Sequence, residues 1–320
     1  MLSRVADSLY WTSRYLERAE HSARLIDVHL NMMIDQSFLS SDQRWRQVAA
    51  SLGTPLADDS TLDAHSIARA LTFDPTNRSS IVSCITAARE NARQVREQIS
   101  SEMWHQLNRL FHQVRRPGTE EAWSSQPLEF LYAVREGAHL FQGLTDSTMS
   151  HGEGWHFIQV GRFLERANAT ATLLDVHFSE HSLNPDELAG HLEYIEWIAL
   201  LKSCTAFEAY CKVYTAELRP VRIAEFLMLN PEFPHSLRFA ADMLHTALDA
   251  VAEASPTRKA GRVEKLTGKM RASLSFSHIE EILSGGIHPY LTNIQRQCSQ
   301  MHSAVNQVYI TYPIQSALEA

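Results

Sequence analysis

Two short runs hold the residues best suited to chemistry. Ser13-Arg14-Tyr15-Leu16-Glu17-Arg18-Ala19 returns almost unchanged as Gly161-Arg162-Phe163-Leu164-Glu165-Arg166-Ala167. On a helix Arg14 lies beside Glu17 at i+3 and beside Arg18 at i+4, and Arg162, Glu165 and Arg166 repeat that arrangement. If the two helices pack together, four guanidinium groups and two carboxylates share one seam. Three uses of such a seam are open. As a structural ion network, each glutamate is paired across the seam with an arginine of the other copy, and breaking one buried pair costs about 3–5 kcal/mol. As an anion site, the surplus positive charge of Arg14, Arg18, Arg162 and Arg166 grips a carboxylate or phosphate of a substrate. As a catalytic site, Glu17 or Glu165 serves as base for an amine. Asp27 and Asp175 reduce the surplus charge if they fold back toward it.

Other sets carry weaker signals. Arg89-Glu90-Asn91-Ala92-Arg93 has no clear copy elsewhere in the chain. Its Arg89 and Arg93 share a face at i,i+4, either as a solvated face or as further substrate-binding arginines. The turn Ser150-His151-Gly152-Glu153-Gly154 precedes a helix start, where anions bind, but Glu153 would repel a phosphate. No GxxxxGK[ST] loop and no HExxH occur in the chain. Glu102 with His105, Glu153 with His156, and Asp242 with His245 have the Glu-x-x-His-type spacing of bundle metal sites. With 16 histidines such matches arise cheaply, and no metal ligand is assigned. Cys84, Cys204, Cys211 and Cys298 show no CxxC spacing and read as buried reduced thiols.

The elements that must position these groups are helices. Leu25, Asp27, Val28 and His29 face Leu173, Asp175, Val176 and His177 at the same offset of 148 residues as the heptapeptides, which marks an internal duplication. From Leu2 to about Asp35, Val5, Leu9, Thr12, Leu16, Ala19, Ala23, Ile26, Leu30 and Met33 keep a 3-4 spacing with one polar member, predicting one long helix with a buried stripe. Phe157, Val160, Leu164, Ala167, Ala171, Leu174 and Phe178 do the same in the second copy. The pairs Ala19/Ala23 and Ala167/Ala171 predict the closest approach of the two helices. Further helices are predicted over Asp42–Leu52, Thr61–Leu71, Ser79–Val114, Pro127–Thr148, Asn184–Leu218, Ser236–Glu253, Arg258–Leu283 and Pro289–Ile310. Phe73-Asp74-Pro75-Thr76-Asn77 and Leu229-Asn230-Pro231-Glu232-Phe233 break both halves at equivalent places. The fold class is therefore all-α: a compact helical bundle of two pseudo-repeats, residues 1–148 and 149–320, sharing one core.

Bulk properties agree. The 320 residues suffice for a sizeable core, and 44% hydrophobic with 21% charged content is ordinary for a globular chain. A net charge of −8 disfavours general nucleic-acid binding, which needs a cationic face. No apolar run approaches the roughly 20 residues of a membrane span, and no signal core opens the chain, so a cytoplasmic location is expected.

Arg4-Val5-Ala6-Asp7-Ser8-Leu9-Tyr10-Trp11 running into Arg14-Tyr15-Leu16-Glu17-Arg18-Ala19-Glu20, with Glu153-Gly154-Trp155 and Ala88–Arg93, resembles the alpha-E family of bacterial all-helical proteins named for a Glu-Arg pair. The resemblance covers essentially the whole chain. It implies a place beside circularly permuted ATP-grasp ligases, and often transglutaminase-like proteins, in systems that make peptide or amide bonds. ATP and magnesium would then be bound by the partner, with no cofactor bound directly by this chain. The alternative is an enzyme in its own right, acting on the activated intermediate or product through Glu17 and Glu165.

Overall fold

The apolar stripe of the N-terminal run becomes helix α1, Ser3–Ile34, in a computed structural model that describes residues 1–34, 41–54, 63–180, 191–215, 217–256 and 260–311. Val5, Leu9, Thr12, Leu16, Ala19, Ala23 and Ile26 are all buried, and Leu30 is partly so. Thr12 offsets its polarity by donating its hydroxyl to Ser8 O at 2.7 Å. Its counterpart α8, Glu153–Glu180, buries the whole expected series from Phe157 to Phe178. No strand occurs among the described residues.

Between these two lie α2 (Ser41–Ser51), α3 (Ala64–Phe73), α4 (Ile81–Gln94), α5 (Ser101–Val114), α6 (Thr119–Trp123) and α7 (Pro127–Thr148). After α8 come α9 (His191–Ser203), α10 (Phe207–Tyr214), α11 (Pro220–Leu229), α12 (Leu237–Ala254), α13 (Gly261–Phe276), α14 (Ile279–Gly285) and α15 (Ile287–Val305). Helix α1 packs on α4, α7 and α8, while α8 packs on α12, α15 and α1. Helix α5 touches α4 and α7, and α13 touches α12 and α15. Among the described residues the main hydrophobic cluster runs from Val5 to Tyr309 around the α1–α8 pair, and Val28, Met32 and Ala199 form a small second one.

The two central helices advance together. Ser13 donates to Ile158 O at 2.6 Å, and farther along Arg166 reaches Glu17, so α1 and α8 run in the same direction through the seam. The expected alanines are fully buried, and a tight backbone approach lies at Gly161. A Cβ there would sit 2.3 Å from Tyr10 O, a contact with rigid helix backbone. Gly161→Ala is expected to destabilise by about 1–3 kcal/mol or more through forced separation of the helices. Ser13→Ala should lose only one hydrogen bond, about 1 kcal/mol. Denaturant unfolding of both variants checks this; Gly161→Ala as stable as wild type would mean that the contact does not set the helix spacing.

Several boundaries differ from the sequence expectation, each for a local reason. The run predicted as one helix over 79–114 is two, because Val95 leaves helical geometry, a 3₁₀ turn follows at Arg96–Gln98, and Ser100 then caps α5 by accepting from Met103 N. No proline or glycine marks that break. The run 184–218 breaks at Thr205, whose φ of 54° is left-handed, and its expected start at Asn184-Pro185 lies outside the described residues. The run 258–283 breaks at His278, which caps α14 together with Glu281. Helices α6 and α11 were not expected; α11 starts on Pro220, the helix position proline fits best. Both Pro turns are present: Ser80 Oγ donates to Asp74 O at 2.9 Å, and Ser236 Oγ donates likewise to Asn230 O at 2.5 Å.

Candidate functional site at the helix seam

The heptapeptides bring all six charged residues together across the α1–α8 seam. Glu165 receives Arg14 Nε on one oxygen and Arg18 Nε on the other, both at 2.6 Å. Glu17 is held less evenly: Arg166 Nε donates to Oε1 at 2.5 Å, Gln142 Nε2 donates to Oε2 at 3.1 Å, and Arg162 Nε stays 3.8 Å from Oε2. Both glutamates, Arg14 and Arg166 are buried. Side chains of Arg18 and Arg162 retain 24% and 20% exposure, so these two carry the seam's charge toward solvent.

Placement of the charges decides their chemistry. Burial alone would push the Glu165 carboxyl up, but Arg14 and then Arg18 outweigh it and bring it down to about 2. An effective general base has a pKa near the working pH and a lone pair free for the proton it takes. Glu165 lacks the first, and with an arginine Nε on each oxygen it acts as a fixed anion that orients two arginines. Arg162 is opposite in character. Burial, then the neighbouring Arg166, pushes its guanidinium below the usual arginine range, against weaker support from Glu17, Asp146 and Glu20.

The network extends beyond the motif. Arg14 Nη1 donates to Tyr10 OH at 2.9 Å and meets His302 Nδ1 at 3.1 Å, and Tyr10 OH lies 2.7 Å from that same nitrogen. His302, near the end of α15, is held down to about 4 by burial and by Arg14, so it is neutral at pH 7. One turn along α1, Glu20 pairs with Arg24, and His139 of α7 approaches Glu20 at 3.4 Å. A second buried pair, Arg44 with Glu196 at 2.5 Å, joins α2 to α9. Sequence reading missed these partners. Glu20–Arg24 had a usable i,i+4 signal, whereas Tyr10–His302 and Arg44–Glu196 are brought together only by the fold.

The remaining candidates lie apart from the seam's ion pairs. Arg89 donates to Asn108 Oδ1 at 2.7 Å and stacks over Trp104 and Phe111, while Arg93 is exposed and paired with Glu90. Asp27 and Asp175 do not fold back: Asp27 pairs with Arg135 at 2.7 Å, and Asp175 meets His288 at 2.5 Å and Gln295 at 3.1 Å. Of the Glu-x-x-His pairs, Glu153 accepts from Ser255 Oγ at 2.7 Å, His245 faces Asp249, and Asp242 takes Arg271. Among the described residues no three His, Cys, Asp or Glu side chains are grouped to hold a metal. Cys84, Cys204 and Cys298 are buried free thiols, each pushed up to about 12 by burial, and Cys211 is partly buried. Two of them flank the seam: Cys84 feels Arg18, and Cys298 feels Arg14. No helix among the described residues is long and apolar enough to cross a membrane.

A family model described as a predicted alpha-helical domain with a conserved ER motif matches residues 1–310. Glu17-Arg18 and Glu165-Arg166 are the Glu-Arg pairs of this chain. An uncharacterized protein of Mycobacterium bovis and one from each of two Mycobacterium tuberculosis strains are 24% identical to it over 314 residues. The alignments cover 91% of this chain and 34% of each relative, so the chain spans about a third of the length of the curated relatives it matches. No solved structure matches it.

Proposed function

The chain belongs to the Alpha-E family, and from that premise we propose that it is the helical component of an ATP-dependent system that makes peptide or amide bonds. It holds the acidic or peptide substrate of a circularly permuted ATP-grasp ligase at the Arg/Glu seam. The observation that supports this reading is the seam's charge: four arginines meet two glutamates, and Arg18 and Arg162 keep part of their guanidinium-bearing chains at the surface. Ligases of that class activate a carboxylate as an acyl phosphate, releasing ADP. An amine then displaces phosphate, and it must arrive before water does. Fixing the substrate in a rigid bundle serves that need through positioning and exclusion of water.

ATP and magnesium belong to the ligase in this reading, and a transglutaminase-like protein is a second partner that the family resemblance implies. The reaction is placed in the cytoplasm, where ATP is supplied. The two halves are read as repeats built around one seam. Catalysis by the seam glutamates is the less favoured reading, because Glu165 is clamped on both oxygens. The test is reconstitution: purified ligase, ATP and candidate amino acids or peptides, with and without this protein, following ADP release and product mass. Amide product should rise when the protein is present and fall at least tenfold with Arg18→Gln. Full product from the ligase alone, indifferent to this protein, would remove the support for a positioning subunit.

A further inference from the structure

The two halves of the seam are not equally complete. Arg14 is engaged through two of its nitrogens, giving Nε to Glu165 at 2.6 Å and Nη1 to Tyr10 OH at 2.9 Å, with His302 Nδ1 3.1 Å away. Its counterpart Arg162 has no such set. The Arg162 Nε is buried and donates to no group among the described residues. Its nearest carboxylate oxygen, Glu17 Oε2, is 3.8 Å away and already accepts from Gln142, while Glu17 Oε1 is taken by Arg166. At the positions that correspond to Tyr10 and Trp11, the second half has Ile158 and Gln159. There the structure leaves a cavity of about 10 Å³, lined on its polar side by Ser13, Gln142, Thr145, Gln159 and Arg162.

We propose that Arg162 and this cavity form the binding point for one carboxylate of the substrate, with one carboxylate oxygen seated in the cavity against Arg162 and the rest of the ligand leaving through its mouth. This rests on the seam's being the binding site and assigns one of its two partly exposed arginines, Arg162, to one carboxylate of the substrate. The size fits: room for one water-sized atom is room for one carboxylate oxygen. The chemistry fits as well, because a buried N–H without a partner is costly and a charged acceptor satisfies it strongly. Charge selects a monoanion over a dianion. Glu17 stands 3.8 Å from Arg162, and Asp146 and Glu20 also act on it, with Arg166 as the opposing cation, so a second negative charge would be repelled. Arg14, Arg166 and Glu165 are held by short bonds inside the seam and act as its frame.

The full chain alone, without any ligase, suffices for the test. Acetate is the probe, titrated in chloride-free buffer and followed by carbon-13 line broadening, with inorganic phosphate as the second probe. Saturable acetate binding is expected in wild type, weakened at least tenfold in Arg162→Gln and weakened also in Gln159→Leu, which alters the cavity without touching the guanidinium. The surface control Arg271→Gln should bind as wild type does. Unfolding midpoints identify any variant that has lost its fold, and Gln159→Leu then carries the test. Equal acetate binding by wild type and both cavity variants, no saturable binding in wild type, or phosphate bound more tightly than acetate would each overturn the assignment. Reconstitution with the ligase does not depend on this result. A seam that supports product formation yet binds no acetate removes the Arg162 site alone, and acetate binding without any effect on the ligase removes only the broader reading.

Discussion

Glu165→Gln is expected to destabilise the protein by about 3–5 kcal/mol, the range found when one partner of a buried ion pair is removed. The substitution keeps the side chain's shape and takes away the charge that two arginine Nε groups share at 2.6 Å. It also aims an amide N–H₂ at one of them. Arg14 is buried and cannot turn to water, so its charge is left uncompensated inside the bundle. The denaturant midpoint should fall with little change in slope, since the surface exposed on unfolding is the same. Exchange of exposed Arg93 for glutamine, which loses only a surface pair with Glu90, should leave the midpoint within error. Acid gives a second readout. The folded carboxyl titrates near 2 and the unfolded one near 4.5, so its stabilisation is complete above about pH 4.5 and is lost as the pH falls toward 2. Glu165→Gln should flatten that part of the profile. A variant as stable as wild type at pH 7 would mean that the seam's charges contribute nothing to the fold and are free for other work.

A second loss of stability is expected at milder acidity, between about pH 6.5 and 4. His29 is pushed down to about 4 by burial, with its Nδ1 2.8 Å from Leu25 O. Over that window the unfolded chain binds a proton that the folded chain refuses, so stability rises with pH and falls as acid is added. A depression of this size corresponds to a loss on the order of 3 kcal/mol once the pH is below the folded value. His21, His235 and His302 are lowered in the same sense, each chiefly by burial. The slope of stability against pH should therefore exceed that of one proton, on the order of 1.4 kcal/mol per pH unit. Unfolding free energies at pH 7, 6, 5 and 4.5 measure it. His29→Gln should remove one proton's share of the slope and leave the rest. Equal stability at pH 7 and 4.5 would show that these rings are hydrated in the folded protein.

What the chain alone determined is what repeats at short range. The 3-4 stripe marked α1 and α8 and named their buried faces, because side chains three and four apart must share one side of a helix. The repeated heptapeptide located the six charges, and Asp74-Pro75 and Asn230-Pro231 located two turns, since proline restricts the residue before it. Breaks made by capping side chains escaped notice. Ser100, His278 and the left-handed Thr205 carry no breaker residue, and a cap is chosen only when tertiary packing bends the chain there.

Everything that distinguishes one arginine from another was decided by the tertiary structure. On the page of the sequence Arg14 and Arg162 are equivalent, as are Glu17 and Glu165. In space Tyr10 and His302, which is 292 residues away, close one half of the seam, while Ile158 and Gln159 leave the other with a small cavity and a guanidinium N–H that meets no acceptor among the described residues. Local sequence can specify which face of a helix is buried. Which partner stands opposite a buried charge depends on helices far apart in the chain, and at a distance of a few ångströms that partner determines whether the charge is neutralised or left able to bind.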